Sequence, residues 1–299
     1  MKMKNVLFFI PTILLNISLA NCQSTPNVFP ILSGQYLGQT PPDEIPKLFL
    51  PELFINVHSS PAFAPDGKSV YWRSFDQKAL LFMEEVDGVW SAPQSVPFKS
   101  LFYKQDVPFF SKDGEKLYFI TTRPQHWYQL WSDEAIWYVQ KEDDGWSGPQ
   151  QVSEKINALY THWQFSVSEN GNIYLSGKEN DKWFIFKSEF KDGNYSEPSK
   201  IIDPVSLSKG EKSYLFPFIS PDESYLIFSK SVNDDPGDLF ISYKKVDGSW
   251  TDEINLGEEI NTDGLEICPM ITPDGKYLFF LRHKVMWTSA KFIDKLRPK

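Results

Sequence analysis

The chain has 299 residues, which is enough to bury a large hydrophobic core without disulfide bonds. Its formal net charge of −9 argues against a nucleic-acid partner and against binding to an anionic membrane surface, because both require basic patches. Aromatic residues make up 16% of the chain, so their rings must either fill a core or line a binding face.

The N-terminus predicts a secretory signal. Lys2 and Lys4 precede the apolar run VLFFIPTILLNISLA, residues 6–20, and a basic start followed by a short apolar core is typical of a signal peptide. The run is too short for a membrane-spanning helix, which needs about 20 apolar residues. We therefore expect residues 1–21 to be a signal peptide and the protein to be exported, either to the periplasm or attached to the outer membrane.

The end of this signal predicts a lipid anchor. The sequence LANC, Leu19 to Cys22, resembles a bacterial lipobox, although Asn21 stands where Gly, Ala or Ser is usual. Plain signal-peptidase cleavage is the alternative. We expect Cys22 to carry lipid, residues 22–44 to be a tether, and the membrane to be contacted only through this lipid by a monomer. Cys268 lies in an apolar strand context and is expected to be a small buried residue.

Five similar segments follow along the chain and predict a repeat architecture. Aligned on their Pro-Asp-Gly regions they place Asp66, Asp113, Asn170, Asp222 and Asp274 in one column, with spacings of 47, 57, 52 and 52 residues. A period near 50 indicates a propeller, a solenoid or an array. Each unit reads as a hairpin, a third strand, a second Asp-Gly turn followed by an aromatic residue, and a fourth strand. Four antiparallel strands at this period predict a propeller blade.

The number of blades follows from the ends of the chain. The fifth unit stops after its third strand, and the segment KLFLPELFIN, residues 47–56, stands before the first unit as a spare fourth strand. We predict an all-β fold, a single five-bladed propeller over residues 45–299, in which this N-terminal strand closes the last blade and removes two sheet edges. Six blades are the alternative if residues 23–45 contain further strands.

The hairpins PDGKSVYW and PDGKYLFF resemble the WD-repeat-like units of TolB-type propellers, which occur in many exported bacterial proteins. The resemblance covers residues 45–299 and implies the fold. It does not choose a function, because the family includes periplasmic adaptors, peptidoglycan-associated proteins and carbohydrate-active enzymes. An arginine is frequent in this repeat at the place of Arg123, which implies a structural role for that residue.

The predicted topology separates two faces. Both Asp-Gly turns of every blade lie on one face, and the remaining connections lie on the opposite face, which we call the irregular face. On the irregular face, the residue three positions before each inner-strand proline, or before its expected equivalent Trp163, differs in type from blade to blade. All four histidines also fall on this face. The loop of residues 121–134 adds aromatic and cationic side chains suited to stacking and orientation. The predicted ligand-binding residues are His58, Gln105, Asp106, Arg123, His126, Trp127, Tyr128, Trp131, Tyr160, His162, Tyr214, Glu266, Arg282 and His283.

Two functions remain open at this stage. The first is a binding or scaffold propeller that presents its irregular face to an envelope protein or a glycan. The alternative is a carbohydrate-active hydrolase or lyase with the same site, whose catalytic residues the sequence does not reveal. We expect no cofactor, although His58, His283 and Glu266 could in principle hold a divalent metal at the channel mouth. The acidic loop NDDPGD, residues 233–238, is a second place with a composition suited to calcium.

Overall fold

Short antiparallel strands make up most of the described chain, which in this computed structural model comprises residues 29–130, 133–159, 164–179, 182–201, 212–232 and 237–299. The chain divides into two units, Met1–Pro30 and Ile31–Lys299, and all described strands lie in the second. The predicted signal peptide and Cys22 lie outside the described residues. Among the residues that are described, no helix is long and apolar enough to cross a membrane.

The first two blades follow the predicted strand order. After a turn at Gln35–Gly38 and strand β1 (Lys47–Leu48), blade one contains β2 (Ala62–Phe63), β3 (Ser69–Ser74), β4 (Ala79–Val86), β5 (Val89–Trp90) and β6 (Gln94–Ser95). Blade two contains β7 (Gln105–Phe110), β8 (Lys116–Thr121), β9 (Ala135–Glu142), β10 (Gly145–Trp146) and β11 (Gln150–Gln151). In both blades the fourth strand pairs with the third beside a short extra strand from the second Asp-Gly turn.

Blades three and four repeat this plan. A short helix α1 (Glu154–Asn157) leads into blade three, with β12 (Phe165–Val167), β13 (Ile173–Glu179), β14 (Lys182–Ser188), the small hairpin β15 (Phe190–Lys191) and β16 (Asn194–Tyr195), and β17 (Ser199–Lys200). Blade four contains β18 (Lys212–Ile219), β19 (Tyr225–Val232), β20 (Asp238–Tyr243) and β21 (Ile254–Asn255).

Blade five confirms the predicted closure. It consists of β22 (Ile267–Ile271), β23 (Tyr277–Arg282), β24 (Lys284–Ser289) and the N-terminal strand β1, and the chain ends after helix α2 (Phe292–Lys295). Lys47 and Leu48 pair antiparallel with Trp287 and Met286, and the Phe49 amide donates to the carbonyl of Val285. The ring therefore has five four-stranded blades, and one blade is shared by the two ends of the propeller.

Aromatic residues after the outer Asp-Gly turns pack against neighbouring parts of the ring. Trp146 of blade two donates its indole N–H to the hydroxyl of Tyr71 in blade one and packs on Phe110. In blade one the corresponding Trp90 donates to the carbonyl of Gly34, so the N-terminal segment takes the place of a neighbouring blade there. These aromatic side chains fill the gaps between blades, which widen towards the outside of the propeller.

Residues before the expected domain boundary at 45 already pack on the propeller. Ser33 forms a bridge with Val89, and the ring of Tyr36 lies within 5.7 Å of the rings of Phe63, Tyr277 and Trp287. The segment is held because Tyr36 fills the gap between blades one and five. In the described residues from 29 to 45 this single bridge is the only strand pairing. The segment therefore packs between blades one and five and does not form a sixth blade.

Candidate functional site

The inner strands enter the ring at the irregular face through a recurring bulge. The register shifts beside Val107, Phe216 and Cys268, each of which precedes a proline and has a positive φ of 47°, 56° and 56°. A bulge of this kind takes two residues out of the hydrogen-bond ladder and leaves their polar groups to find other partners.

In blade three Gln164 occupies the bulge position and supplies those partners. Its buried side-chain amide donates to the carbonyl of Pro269 at 2.9 Å and to that of Pro217 at 3.5 Å. Since blades three and five are not neighbours, the first of these bonds crosses the central channel. Gln164 therefore narrows the channel at the irregular face. The sequence analysis missed this residue, although a glutamine beside an apolar inner strand is the signal that marks it.

The register also corrects one alignment. Phe165 pairs with Leu175, and Val167 pairs with Ile173. Phe165 therefore occupies the position that the inner-strand proline has in the other blades, instead of the expected Trp163. The residue three positions earlier is therefore His162 and not Tyr160. Both of these residues lie outside the described part of the chain, as does Trp131.

Three of the predicted binding residues are buried and held by the protein itself. Gln105 donates to the carbonyl of Phe98, and Tyr214 is enclosed in a blade interface, where burial raises the pKa of its hydroxyl. Glu266 is 0% exposed; it accepts hydrogen bonds from Arg282 Nε at 2.6 Å and from Thr262 Oγ1 at 2.8 Å. Arg282 also donates to the carbonyl of Ile260. The Glu266–Arg282 pair thus ties the blade four–five connection to strand β23.

His58 and Asp106 come together, although they belong to neighbouring blades. His58 Nδ1 lies 3.0 Å from Asp106 Oδ2, and Arg73 Nη1 donates to the same oxygen at 3.3 Å and to the carbonyl of Gln105 at 2.9 Å. The hydrogen bond to Asp106 raises the pKa of His58 above its usual value. Because Asp106 has both a guanidinium and an imidazole as partners, this cluster links blades one and two, with Arg73 and Asp106 buried and His58 partly exposed.

His283 is exposed in the β23–β24 turn at a positive φ of 57°. Among the described residues, no group of three or more His, Cys, Asp or Glu side chains is arranged to hold a metal ion. Residues 233–236 of the acidic loop lie outside the described residues.

The predicted aromatic loop is accessible. Arg123 places its guanidinium 5.5 Å from the ring of Tyr103 and 5.6 Å from that of Trp137, which fits the structural role that the repeat implies. His126 stacks on Tyr128 with ring centroids 5.2 Å apart, and Trp127 beside them is 96% exposed. Of the predicted site residues that the structure describes, Trp127 and Tyr128 of this loop and His283 are exposed, and His58, Arg123, His126 and Arg282 are partly exposed.

A sizeable cavity lies at the other face, among the Asp-Gly turns. It has a volume of about 470 Å³ and is enclosed by the inner hairpins of all five blades and by helix α2. Its floor is apolar and includes the buried side chains of Phe63, Phe109, Val167, Phe218, Met270 and Ile293. Small-molecule and peptide sites have volumes of about 300–1,000 Å³, so this cavity has the size of a binding site.

Charged side chains surround the mouth of this cavity. Four carboxylates line it, those of Glu169, Asp222, Asp274 and Asp294, together with the two cations Lys112 and Arg297. All six residues are exposed. The mouth is therefore acidic on balance, and the sequence analysis missed it because short, stereotyped turns offered no sign of a shared hollow.

Two of the carboxylates at the cavity mouth, those of Asp222 and Asp274, also accept hydrogen bonds within the inner turns. Partial burial by itself raises the pKa of Asp222, but hydrogen bonds from Ser224 and Ser220 lower it below the usual value. At Asp274 burial again raises the pKa, and hydrogen bonds from Thr272, Tyr36 and Lys276 lower it below the usual value. Both groups are thus ionised at neutral pH, which suits them for attracting a cation and not for donating a proton.

No protein-family model and no curated protein matches the chain. Among solved structures, a TolB-type protein from Agrobacterium tumefaciens has a TM-score of 0.51 at 17% identity, with 74% of this chain and 68% of that chain covered. TolB from Acinetobacter baumannii has a TM-score of 0.50 at 14% identity, with 78% and 54% covered. This chain therefore spans about two thirds of the first and about half of the second. At such identities the likeness shows the fold alone: the chain is a five-bladed β-propeller whose structural neighbours include TolB propellers.

Proposed function

We propose that the protein is an exported binding propeller whose cavity at the Asp-Gly face takes up a segment of another protein of the cell envelope. The observation that carries the proposal is the cavity itself, about 470 Å³ with an apolar floor and an acidic mouth. Sequence analysis placed the ligand at the irregular face. The cavity shifts our proposal to the opposite end of the channel, because Gln164 narrows the irregular end and Gln105, Tyr214 and Glu266 are committed to internal contacts.

The chemistry of the cavity favours a protein segment over a glycan. Sugars need donors and acceptors along their whole ring, whereas the floor here presents phenylalanine, methionine and aliphatic groups. An extended chain that inserts one or two apolar side chains would bury them there, at about 25 cal/mol for each Å² of apolar surface. A basic residue beside the inserted side chain would meet the carboxylates of the mouth.

The alternative of a carbohydrate-active hydrolase or lyase requires a different arrangement. Glycoside hydrolases usually keep one carboxyl group protonated as a general acid, which needs a raised pKa. At the cavity mouth hydrogen bonds hold the pKa of Asp222 and that of Asp274 below the usual value. The geometry therefore supports uptake of a ligand better than hydrolysis.

A charge-reversal pair tests the site. Peptides of about ten residues with a central Phe or Leu, flanked either by Lys or by Glu, are titrated against the protein by fluorescence polarisation. We expect the Lys-flanked set to bind, and Glu169→Lys/Asp294→Lys to weaken it at least about tenfold at low salt, given up to about 1 kcal/mol for each exposed charge contact. The matched control is Glu52→Lys/Glu258→Lys, two exposed carboxylates on the irregular face that change the net charge equally. Equal losses in both variants would overturn the proposal.

Export and anchoring are part of the same proposal and rest on residues 1–22 of the sequence. Cys22→Ser is expected to abolish metabolic labelling of the protein with a radioactive fatty acid and to leave the propeller folded, because Cys22 precedes the folded unit that begins at Ile31. Unchanged labelling of the Ser variant would contradict lipidation at this residue.

A further inference from the structure

An exposed apolar patch lies on the irregular face of blade two. It consists of five side chains on two loops, Leu101, Phe102, Trp127, Tyr128 and Leu130, and we call it the exposed ridge. Four of these side chains are at least 80% exposed, and Tyr128 is 66% exposed. Soluble proteins scatter single exposed apolar residues over their surface, but a group of this kind marks a place of interaction.

The two loops are held side by side, so the ridge is one surface. The Lys104 amide donates to Thr122 Oγ1 at 3.1 Å, and the Thr122 amide donates to the carbonyl of Lys104. Arg123 from the second loop places its guanidinium over the ring of Tyr103 in the first. Because the tips project beyond these contacts, the apolar side chains extend away from the propeller and not into it.

The charge on these loops is opposite to that of the whole chain. Residues 96–104 and 121–130 contain Lys99, Lys104, Arg123 and His126 and no Asp or Glu, in a chain with a net charge of −9. The next carboxylates along the chain are Asp106, which pairs with Arg73 and His58, and Asp133 and Glu134, which stand just before strand β9. The net charge argued against an anionic membrane surface, but a local basic set beside exposed Trp, Tyr, Phe and Leu has the composition of a membrane-interface contact.

We propose that the exposed ridge docks on the surface of an anionic lipid bilayer, as a second membrane contact besides any lipid at Cys22. The apolar tips enter the headgroup region, and Lys99 and Lys104 meet lipid phosphates. The topology gives this contact a consequence for orientation. The ridge and the cavity lie at opposite ends of the channel, so docking of the ridge turns the cavity mouth away from the bilayer. The proposal does not depend on what the cavity binds.

Vesicle co-sedimentation tests the proposal. The exported form of the chain carrying Cys22→Ser, which has no lipid at that position, is mixed with vesicles of phosphatidylcholine and phosphatidylglycerol or of phosphatidylcholine alone. We expect binding to the anionic vesicles, at least about tenfold weaker binding of Trp127→Ser/Leu130→Ser through lost apolar burial, and about fivefold weaker binding for each lysine removed in Lys99→Gln/Lys104→Gln. These exposed positions lie outside the strands, so the variants keep the fold.

Matched controls separate the ridge from general stickiness and from net charge. Val86→Ser/Val246→Ser removes two exposed valines at outer turns of the opposite face, and Lys141→Gln/Lys245→Gln removes two exposed lysines there. Both controls are expected to bind as the parent does. Equal binding to neutral vesicles, equal losses in ridge and control variants, or a dimer in sedimentation velocity that the ridge variants abolish would each overturn the proposal. The last result would assign the ridge to a second copy of the chain.

Discussion

Phe49 offers a quantitative test of how the ring is closed. It follows strand β1 and is 0% exposed, with its ring centroid 5.4 Å from that of Phe54, 4.9 Å from that of Phe279 and 5.0 Å from that of Trp287. The preceding residue, Leu48, is the last residue of β1; it pairs with Met286 of β24 but is 49% exposed. Phe49→Ala and Leu48→Ala thus change two adjacent residues, the one after β1 and the last one of β1, that differ in burial.

The expected cost follows from that difference. Truncating a buried phenylalanine to alanine removes its transfer free energy and leaves a cavity, which together cost about 3–5 kcal/mol. The contacts with three rings, edge-on at Phe279 and Trp287 and tilted at Phe54, place Phe49 in the upper part of that range. Leu48→Ala removes a half-exposed side chain and is expected to cost less than about 1 kcal/mol.

Urea unfolding followed by tryptophan fluorescence measures both variants, with differential scanning calorimetry as a second readout. A loss of about 4 kcal/mol corresponds to a fall in Tm of roughly 8–16 °C for a domain of this size. If Phe49→Ala unfolds within about 2 °C of the parent, or no earlier than Leu48→Ala, the N-terminal segment does not hold the last blade as described.

Three further predictions concern titratable groups. Burial by itself raises the pKa of Glu223, but hydrogen bonds from Asn172 and Lys244 and the charge of Lys187 lower it to about 2. The ionised carboxylate therefore stabilises the fold above the usual carboxyl pKa, and this contribution is lost as the pH falls towards 2. In urea titrations Glu223→Gln should cost up to about 3 kcal/mol at neutral pH and almost nothing near pH 2. The hydrogen bond to Asp106 raises the pKa of His58, so the protonated ring stabilises the fold below the usual histidine pKa, and this contribution is lost as the pH rises through the raised value. An NMR titration of the His58 ring should show a higher midpoint in the parent than in Asp106→Asn. Equal midpoints would contradict the pairing. Complete burial raises the pKa of the Cys268 thiol, so Ellman's reagent should react with it only when the protein unfolds, and fast reaction of the folded protein would contradict its burial.

The blade plan was predictable because its signals are local. Turn residues such as Gly275, with a positive φ of 75°, and the aromatic residue after each outer turn recur at nearly fixed spacing. Blade three was misaligned for a local reason too. Its inner strand has Phe165 at the place of the proline that marks this position in the other blades.

The site was less predictable because it depends on contacts between distant parts of the chain. A carboxylate such as Glu266 just before an apolar strand suggests chemistry, and only the fold shows that Arg282 of strand β23 pairs with it. The cavity arises from the spacing of five hairpins around one axis, and no single hairpin carries a sign of it. Glu223 illustrates the same limit. It occupies the glycine position of its turn at a positive φ of 58°, and its partners come from blades three and four.

Site-specific photo-crosslinking in living cells tests the central claim most directly. A benzophenone amino acid is placed at Lys112, on the mouth of the cavity, and in a second strain at Lys284, the exposed first residue of β24 on the irregular face. Binding at the cavity predicts a discrete protein adduct from position 112 that Glu169→Lys/Asp294→Lys weakens, and no such adduct from position 284. A protein adduct from position 284 alone would contradict the assignment of the binding site to the Asp-Gly face.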